Sequence, residues 1–273
     1  MEQFCAAIQE TYGETYLRAP NEEDLKKILA KNAARGFPGW KEKSPMIVLE
    51  ATTTKDTWIW HSFFGTAGAL NDKNILDRSP LFDSTLAGTG WGVEFEVEGH
   101  AYKMPYYLVD GIYYPWATLI QSKSLVSQDA PTKFFTKRQE GFRKDIKRAF
   151  GILQGQFKIL KQPAMGWYPG DLHAIMKTCL ILHNMIVESR TVPKSYPPLP
   201  ASTKLIPPQS EPYNIREQRI RSIEMRSELI HTNLTNDLIS HLWKKSRKEG
   251  DINWDEAFSS NQGGINWDEA LSS

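Results

Sequence analysis

One carboxylate in this chain stands where chemistry is commonly done. Asp110 follows Tyr106-Tyr107-Leu108-Val109, a β-prone and mostly apolar run, and Gly111 and Pro115 break the chain just after it. A strand fixes the backbone of an acid at its end, and the turn opens space in front of it. Oxygen ligands for a hard cation such as Mg²⁺ are held still in this way. A strand-end Asp also caps turns with no metal involved, so residue types alone leave both readings open. The second candidate is a basic helix. Nine Lys/Arg stand between Lys133 and Lys161 against Glu140 and Asp145, a local net charge of +7. Phe142, Ile146, Ala149 and Phe150 share one helical face. Lys137, Arg138, Arg143, Lys144, Lys147 and Arg148 are therefore candidates for phosphate contact, since basic side chains displace the counterions of nucleic acid. A solvated charged face is the plain alternative. His183 in Leu182-His183-Asn184 reads as a hydrogen-bonded core histidine, because no second ligand stands at metal spacing.

Composition bounds what these residues can serve. The chain has 273 residues, 40% of them hydrophobic and 11% aromatic, enough to bury a real core. Its net charge of +1 rules out a global basic field, so any nucleic-acid surface must be local. The two cysteines, Cys5 and Cys179, lie far apart without ligand spacing, which fits a reducing, intracellular compartment. No signal peptide is expected from Met1-Glu2-Gln3. No membrane association is expected either: the longest apolar stretch, Ile175 to Val187, is short and holds Lys177, His183 and Asn184.

The elements that must position the candidates follow from pattern. Residues 1 to 36 read as two helices, the second capped by Asn21 with acids in its first turn. Met46 to Leu49 and Trp58 to Phe64 read as a β-hairpin turning at Thr53 to Asp56. Asn71 to Phe82 contains a short helix. Val93, Phe95 and Val97 alternate with Glu94, Glu96 and Glu98, the period of a half-exposed strand, and Gly99-His100 turns the chain towards Asp110. Leu172 to Val187 is a buried helix. Prolines at 193, 197, 198, 200, 207, 208 and 212 exclude a helix or an internal strand from residues 191 to 212. A charged helix or helix pair then runs from Asn214 to Glu249. In the tail, Ile252-Asn253-Trp254-Asp255-Glu256-Ala257-Phe258-Ser259-Ser260 recurs from Ile265 to Ser273, either a short docking peptide or an unconstrained duplication.

Several segments, in order, resemble transposases of the PIF/Harbinger superfamily, DDE endonucleases of plant-type transposons. They are Arg35-Gly36-Phe37-Pro38-Gly39, Ile47 to Ala51, Trp58 to Gly65, Asn71-Asp72 through Leu76-Asp77-Arg78-Ser79-Pro80-Leu81-Phe82, the Asp110 strand, Arg143 to Gly151, Leu182 to Glu188, and Asp237-Leu238-Ile239 with His241-Leu242-Trp243. The resemblance implies an α/β, RNase H-like fold, a mixed sheet flanked by helices. It also implies three acids, Asp, Asp and Glu, holding two Mg²⁺ or Mn²⁺ ions that activate a water or a DNA 3′-hydroxyl. Asp110 matches the second acid and is the one catalytic and metal-ligand position that carries over. The first acid follows Gly39 in the family, but here Gly39 runs into Trp40-Lys41-Glu42-Lys43-Ser44-Pro45. About twenty residues, more than one strand and loop, are missing by that comparison. The loss should take the first central strand and leave residues 46–52 and 106–110 without a neighbour. The third acid is replaced: Lys147 stands where the family has Glu. Asp145 lies about 200° round the helix from it, and Glu140 roughly 10 Å along the axis. An Asp110–Lys147 ion pair is the expected outcome, since an ammonium there opposes metal binding.

The organisation expected is an N-terminal helical segment at 1–39, an incomplete RNase H-like transposase-derived domain at 40–190, a Pro-rich linker at 191–212, a C-terminal helical segment at 213–249 and a flexible tail at 250–273. Three functions compete. One is a metal-dependent DNA nuclease or transposase, disfavoured by the loss of two acids of three. Another is a non-catalytic binding module that contacts DNA backbone non-specifically, or a protein. The third is a transposon remnant or a wrongly spliced reading of the gene. The resemblance further implies the nucleus and a separate Myb-like partner for target recognition, since no helix-turn-helix is evident in the chain.

Overall fold

The computed structural model describes residues 2–37, 40–41, 44–46, 49–64, 76–122, 129–161, 169–190 and 198–248. The tail repeat, the loop at 65–68 and the start of the 71–82 segment lie outside the described residues.

Helix α1 (Glu2–Tyr16) and helix α2 (Glu22–Ala34) open the chain. Asn21 accepts from the Asp24 amide while the Asp24 carboxylate accepts from the Asn21 amide, a reciprocal cap that satisfies two orphan donors. Gly36, at φ +98°, ends α2 where a Cβ would stand 2.3 Å from Leu242. This turn drops Phe37 fully buried beside Phe142, ring edge to face at 5.0 Å.

Nine strands follow among the described residues: β1 (Trp40–Lys41), β2 (Ser44–Met46), β3 (Leu49–Thr53), β4 (Ile59–Phe64), β5 (Gly92–Val97), β6 (His100–Tyr102), β7 (Tyr106–Val109), β8 (Leu119–Gln121) and, late in the chain, β9 (Lys204–Ile206). Among the described residues they form three separate three-stranded sheets rather than one mixed sheet. The order β1-β7-β8 is all parallel, and β2-β3-β4 is all antiparallel. In the third sheet β5 pairs antiparallel with both β6 and β9. Two expectations change here. Met46 and Leu49 belong to two antiparallel strands and pair with each other, and Ile47 and Val48 lie outside the described residues. The Asp110 strand does not lack a neighbour: Trp40–Lys41 lies parallel beside Tyr106–Tyr107 and satisfies part of its edge. The anchoring of Phe37 three residues earlier puts that stub in reach.

The alternation in β5 is borne out, with Val93, Phe95 and Val97 buried and Glu96 exposed. All four residues of β7 are buried, as expected for a parallel strand covered on both faces. One face, Tyr106 and Leu108, packs on α4 (Ala130–Gln156) and α7 (Glu228–Lys248); the other, Tyr107 and Val109, packs with Leu81, Phe82, Leu119 and Met225. Further α-helices among the described residues are α3 (Asp83–Ala87), α5 (Pro169–Arg190) and α6 (Ile215–Met225). One core joins Leu29, Phe37, Phe95, Tyr106, Leu108, Ile120, Phe135, Leu234, Leu238 and Leu242. It thus draws on the first forty residues, the middle of the chain and the C-terminal helices together. A second core packs α1 on α5 around Cys5, Ile59, Phe150, Leu153, Cys179 and Leu180.

The proline-rich segment is docked where it is described. Lys204–Ile206 pairs along the outer edge of β5, between Pro200 and Pro207, so no proline has to donate to the ladder. Further on, the Gln209 amide donates to the Gly88 carbonyl and the Tyr213 amide to the Ala87 carbonyl, each at 2.8 Å.

Candidate functional site

Asp110 is half-buried immediately past β7, and its carbonyl accepts from the Tyr113 amide at 3.3 Å to close the turn foreseen at Gly111. Gly111 lies close to the neighbouring strand's exit: a Cβ there would stand in van der Waals contact, 3.4 Å from the Ser122 carbonyl oxygen. What α4 brings to this end of β7 is Gln139. Its amide nitrogen donates to the Ile120 carbonyl at 2.8 Å and to the Val109 carbonyl at 3.3 Å, bridging the C-terminal ends of β8 and β7. Gln139 is fully buried. At the residue before Asp110, the helix thus supplies an amide donor engaged with two carbonyls.

Lys147 is not brought to Asp110. Helix α4 runs antiparallel to β7. Gln139 meets the strand's end, Phe142 packs on Phe37, Asp145 binds Arg35, and Arg148 donates to the Lys55 carbonyl. Lys147, eight residues beyond Gln139, lies about 12 Å further along the axis and is exposed. The expected Asp110–Lys147 pair is therefore not formed, because the helix carries Lys147 away from the strand end.

Asp145, the acid nearest Lys147 in sequence, is neutralised elsewhere. The Arg35 guanidinium donates to it at 2.8 Å, Arg148 lies 3.4 Å from its other oxygen, and the carboxylate is buried. The Arg35 guanidinium also covers the Phe142 ring at 3.6 Å. This cluster fixes the angle between α2 and α4. Among the described residues no group of three or more His, Cys, Asp or Glu could hold a metal ion.

The basic residues of α4 divide by face. Lys137, Lys144 and Arg148 fall within about 40° of one another on a helical wheel, flanked by Lys133 and Lys147. Glu140 is the acid within that stripe. Lys144, Lys147 and Arg148 are exposed; Lys133 and Lys137 are half-buried. Partial burial lowers the Lys137 ammonium below its ordinary value, helped by Lys133 and opposed by Glu140. Arg138 departs from the stripe: it sits about 100° away, half-buried, with its Nε shielded from water and lacking a hydrogen-bond partner in the described structure. The Arg143 side chain lies outside the described residues.

His183 is a core histidine, as its sequence context suggested. Its Nε2 lies 2.8 Å from the Thr57 carbonyl and its Nδ1 2.9 Å from the Gln156 side-chain oxygen. Burial lowers its pKa below the usual value, the Thr57 bond opposing and Arg190 assisting. Neutral His183 donates through one nitrogen only, and the Gln156 amide nitrogen is buried without a partner. Turning the Gln156 amide over answers both, its NH₂ then donating to Nδ1. Asn184 beside it was missed as a functional position in the fold. Its side chain accepts from the Ile59 amide at 2.9 Å and donates to the Ile59 carbonyl at 2.8 Å and the Tyr16 carbonyl at 2.6 Å, tying β4 and α1 to α5.

Among the described residues no helix is long and apolar enough to cross a membrane. A family profile described as plant transposon protein matches residues 39–192. No curated protein and no solved structure matches the chain.

Proposed function

The chain belongs to the plant transposon protein family, and from that membership we propose that it is a PIF/Harbinger-type, transposase-derived protein that binds DNA backbone without cutting it. The observation that carries this reading is the basic stripe of α4, exposed at Lys144, Lys147 and Arg148. Lys133, Lys137, Lys144, Lys147 and Arg148 line one face over fifteen residues, about 22 Å of helix, with Glu140 as the opposing charge. A straight basic ridge laid on a curved duplex backbone contacts on the order of three to four phosphates, and the affinity comes from the counterions it releases. Nothing on this ridge has the geometry of base readout, so sequence selection falls to a Myb-like partner, and the site of action is the nucleus.

The same reading makes the chain a pseudoenzyme with an incomplete RNase H-like fold. The parallel order β1-β7-β8, with a two-residue stub in place of a full central strand, supports it. Mg²⁺ or Mn²⁺ does not fit the residues present. Asp110 has an amide, Gln139, at its strand end, and the buried carboxylate of the helix, Asp145, is held between two guanidinium groups. A pair of divalent cations needs converging oxygen ligands that carry net negative charge.

Two measurements test the proposal. Binding of a random-sequence duplex should weaken with salt at a log–log slope of about −3, a loss of roughly 10²-fold between 50 and 200 mM. Supercoiled plasmid should stay intact with Mn²⁺ present. Nicking that Asp110→Asn abolishes, or binding indifferent to salt, overturns the reading.

A further inference from the structure

The family match stops before α6, and α6 carries a surface that the DNA-binding reading does not use. Of the large hydrophobic side chains exposed among the described residues, Ile215 at 73%, Ile220 at 48% and Ile223 at 71% stand on α6, and Leu229 at 70% follows at the start of α7. They interleave with exposed arginines. Ile215, Arg219 and Ile223 stand at successive i, i+4 positions, and Arg216 and Ile220 form the adjacent row. Of the two acids of the helix, Glu217 is engaged in the cap with Asn214, and Glu224 ends the Arg216–Ile220 row one turn on, leaving Arg216 and Arg219 as the charges between the isoleucines. The opposite side is the one that docks: Arg221 donates to the Thr85 carbonyl at 3.0 Å and lies 5.1 Å from the Tyr213 ring. The result is an apolar and cationic face with no covering element among the described residues.

A segment of complementary chemistry exists in the same chain. Residues 249–273 hold six acids and no Lys or Arg, and they repeat one peptide, Ile-Asn-Trp-Asp-Glu-Ala, twice. Each copy sets adjacent carboxylates beside an aromatic residue, with a second large apolar side chain four positions after the Trp. Reach separates the copies. Leu229 lies near the start of α7 and Lys248 at its end, about 28 Å apart at helical rise. Trp254 follows Lys248 by six residues, about 20 Å fully extended, and falls short. Trp267 follows it by nineteen residues, on the order of 65 Å, and reaches with slack.

We propose that the second copy, Ile265 to Leu271, docks on the Ile/Arg face of α6 in the same chain. Trp267 and Leu271 cover Ile220, Ile223 and Leu229, while Asp268 and Glu269 meet Arg216 and Arg219. The contact is weak, because its ion pairs are exposed and its tether is long. High local concentration, not affinity, holds it.

The test uses the full chain with a photo-crosslinking benzoylphenylalanine at Ile220 and maps the products by mass. The expected product is intramolecular and lies within residues 265–271. Arg216→Glu with Arg219→Glu should cut its yield roughly tenfold, the scale of two exposed ion pairs turned to repulsion. Asp268→Lys with Glu269→Lys in that background should restore it. Unchanged helical circular dichroism shows that the exposed substitutions leave the fold intact. Crosslinks to residues 252–258, crosslinks between two chains, α6-to-α6 products, or a yield indifferent to the charge swap overturn the proposal.

Discussion

Replacing Asn184 by Leu should cost the fold about 2–5 kcal/mol. The substitution keeps the volume and removes three hydrogen bonds at 2.6–2.9 Å. Ile59 has no solvent exposure, so its amide and carbonyl would lose their partners where water cannot replace them. Each such orphan costs about 1–3 kcal/mol, and the Tyr16 carbonyl, less enclosed, adds less. That is a large share of a typical domain's stability of about 5–15 kcal/mol. Urea unfolding followed by far-ultraviolet circular dichroism measures it, with the slope m unchanged if the native and unfolded states keep their surfaces. Asn184→Asp should be at least as damaging, since it sets a carboxylate against two carbonyls. A loss below about 1 kcal/mol for the Leu variant, at constant m, would refute the view that this side chain clamps β4 and α1 to α5.

Three further outcomes follow from the geometry. Gly88→Ala should destabilise by about 2–3 kcal/mol: Gly88 has φ +75°, and a Cβ would meet the Tyr213 ring at 2.1 Å. Limited proteolysis should then cut within residues 198–213, and an unchanged digest would show that this segment is not held at Gly88. Stability should fall as pH drops below about 6.5, because burial lowers the pKa values of His183, His173 and His241 in the folded state, so the unfolded chain binds the protons first. Thermal unfolding between pH 5 and pH 7.5 reads this, and His183→Gln should shallow the fall; an increase in stability on acidification would refute the sign. Lys144→Ala and Lys147→Ala should each reduce the magnitude of the DNA-binding salt slope by up to about 0.9, weakening all sequences alike, whereas Arg138→Ala, off the stripe, should leave the slope unchanged.

Local grammar carried much of the architecture. The Asn21 cap, the β5 alternation, the strand ending at Asp110 and the buried helix around His183 each rest on neighbours within a few residues, and each is found where pattern placed it. What pattern could not supply is pairing across the chain. Arg35 and Asp145 are 110 residues apart, and nothing local marks them as partners. Gln139 left one readable trace: it sits on the same helical side as Phe135 and Phe142, a polar side chain inside an apolar face. Arg138 was grouped with the basic stripe because composition counts charges and not their angle round the helix. Prolines bar an interior strand, yet between Pro200 and Pro207 the proline-free residues 204–206 suffice for an edge strand. The division of β1-β7-β8 from the other strands reflects sheet order, which period-2 patterning does not encode.

The main core has a temporal consequence. It joins Leu29 to Leu242 and needs both. At translation rates of about 5–20 residues per second, Leu29 and Phe37 wait on the order of ten to forty seconds for α7 to leave the ribosome. Through that interval the apolar faces of α2, β5 and β7 have no lid, and nascent-chain chaperones are the available cover. A premature stop codon anywhere before 242 makes the wait permanent. Truncated products of such a gene are thus destined for degradation rather than for a smaller folded protein.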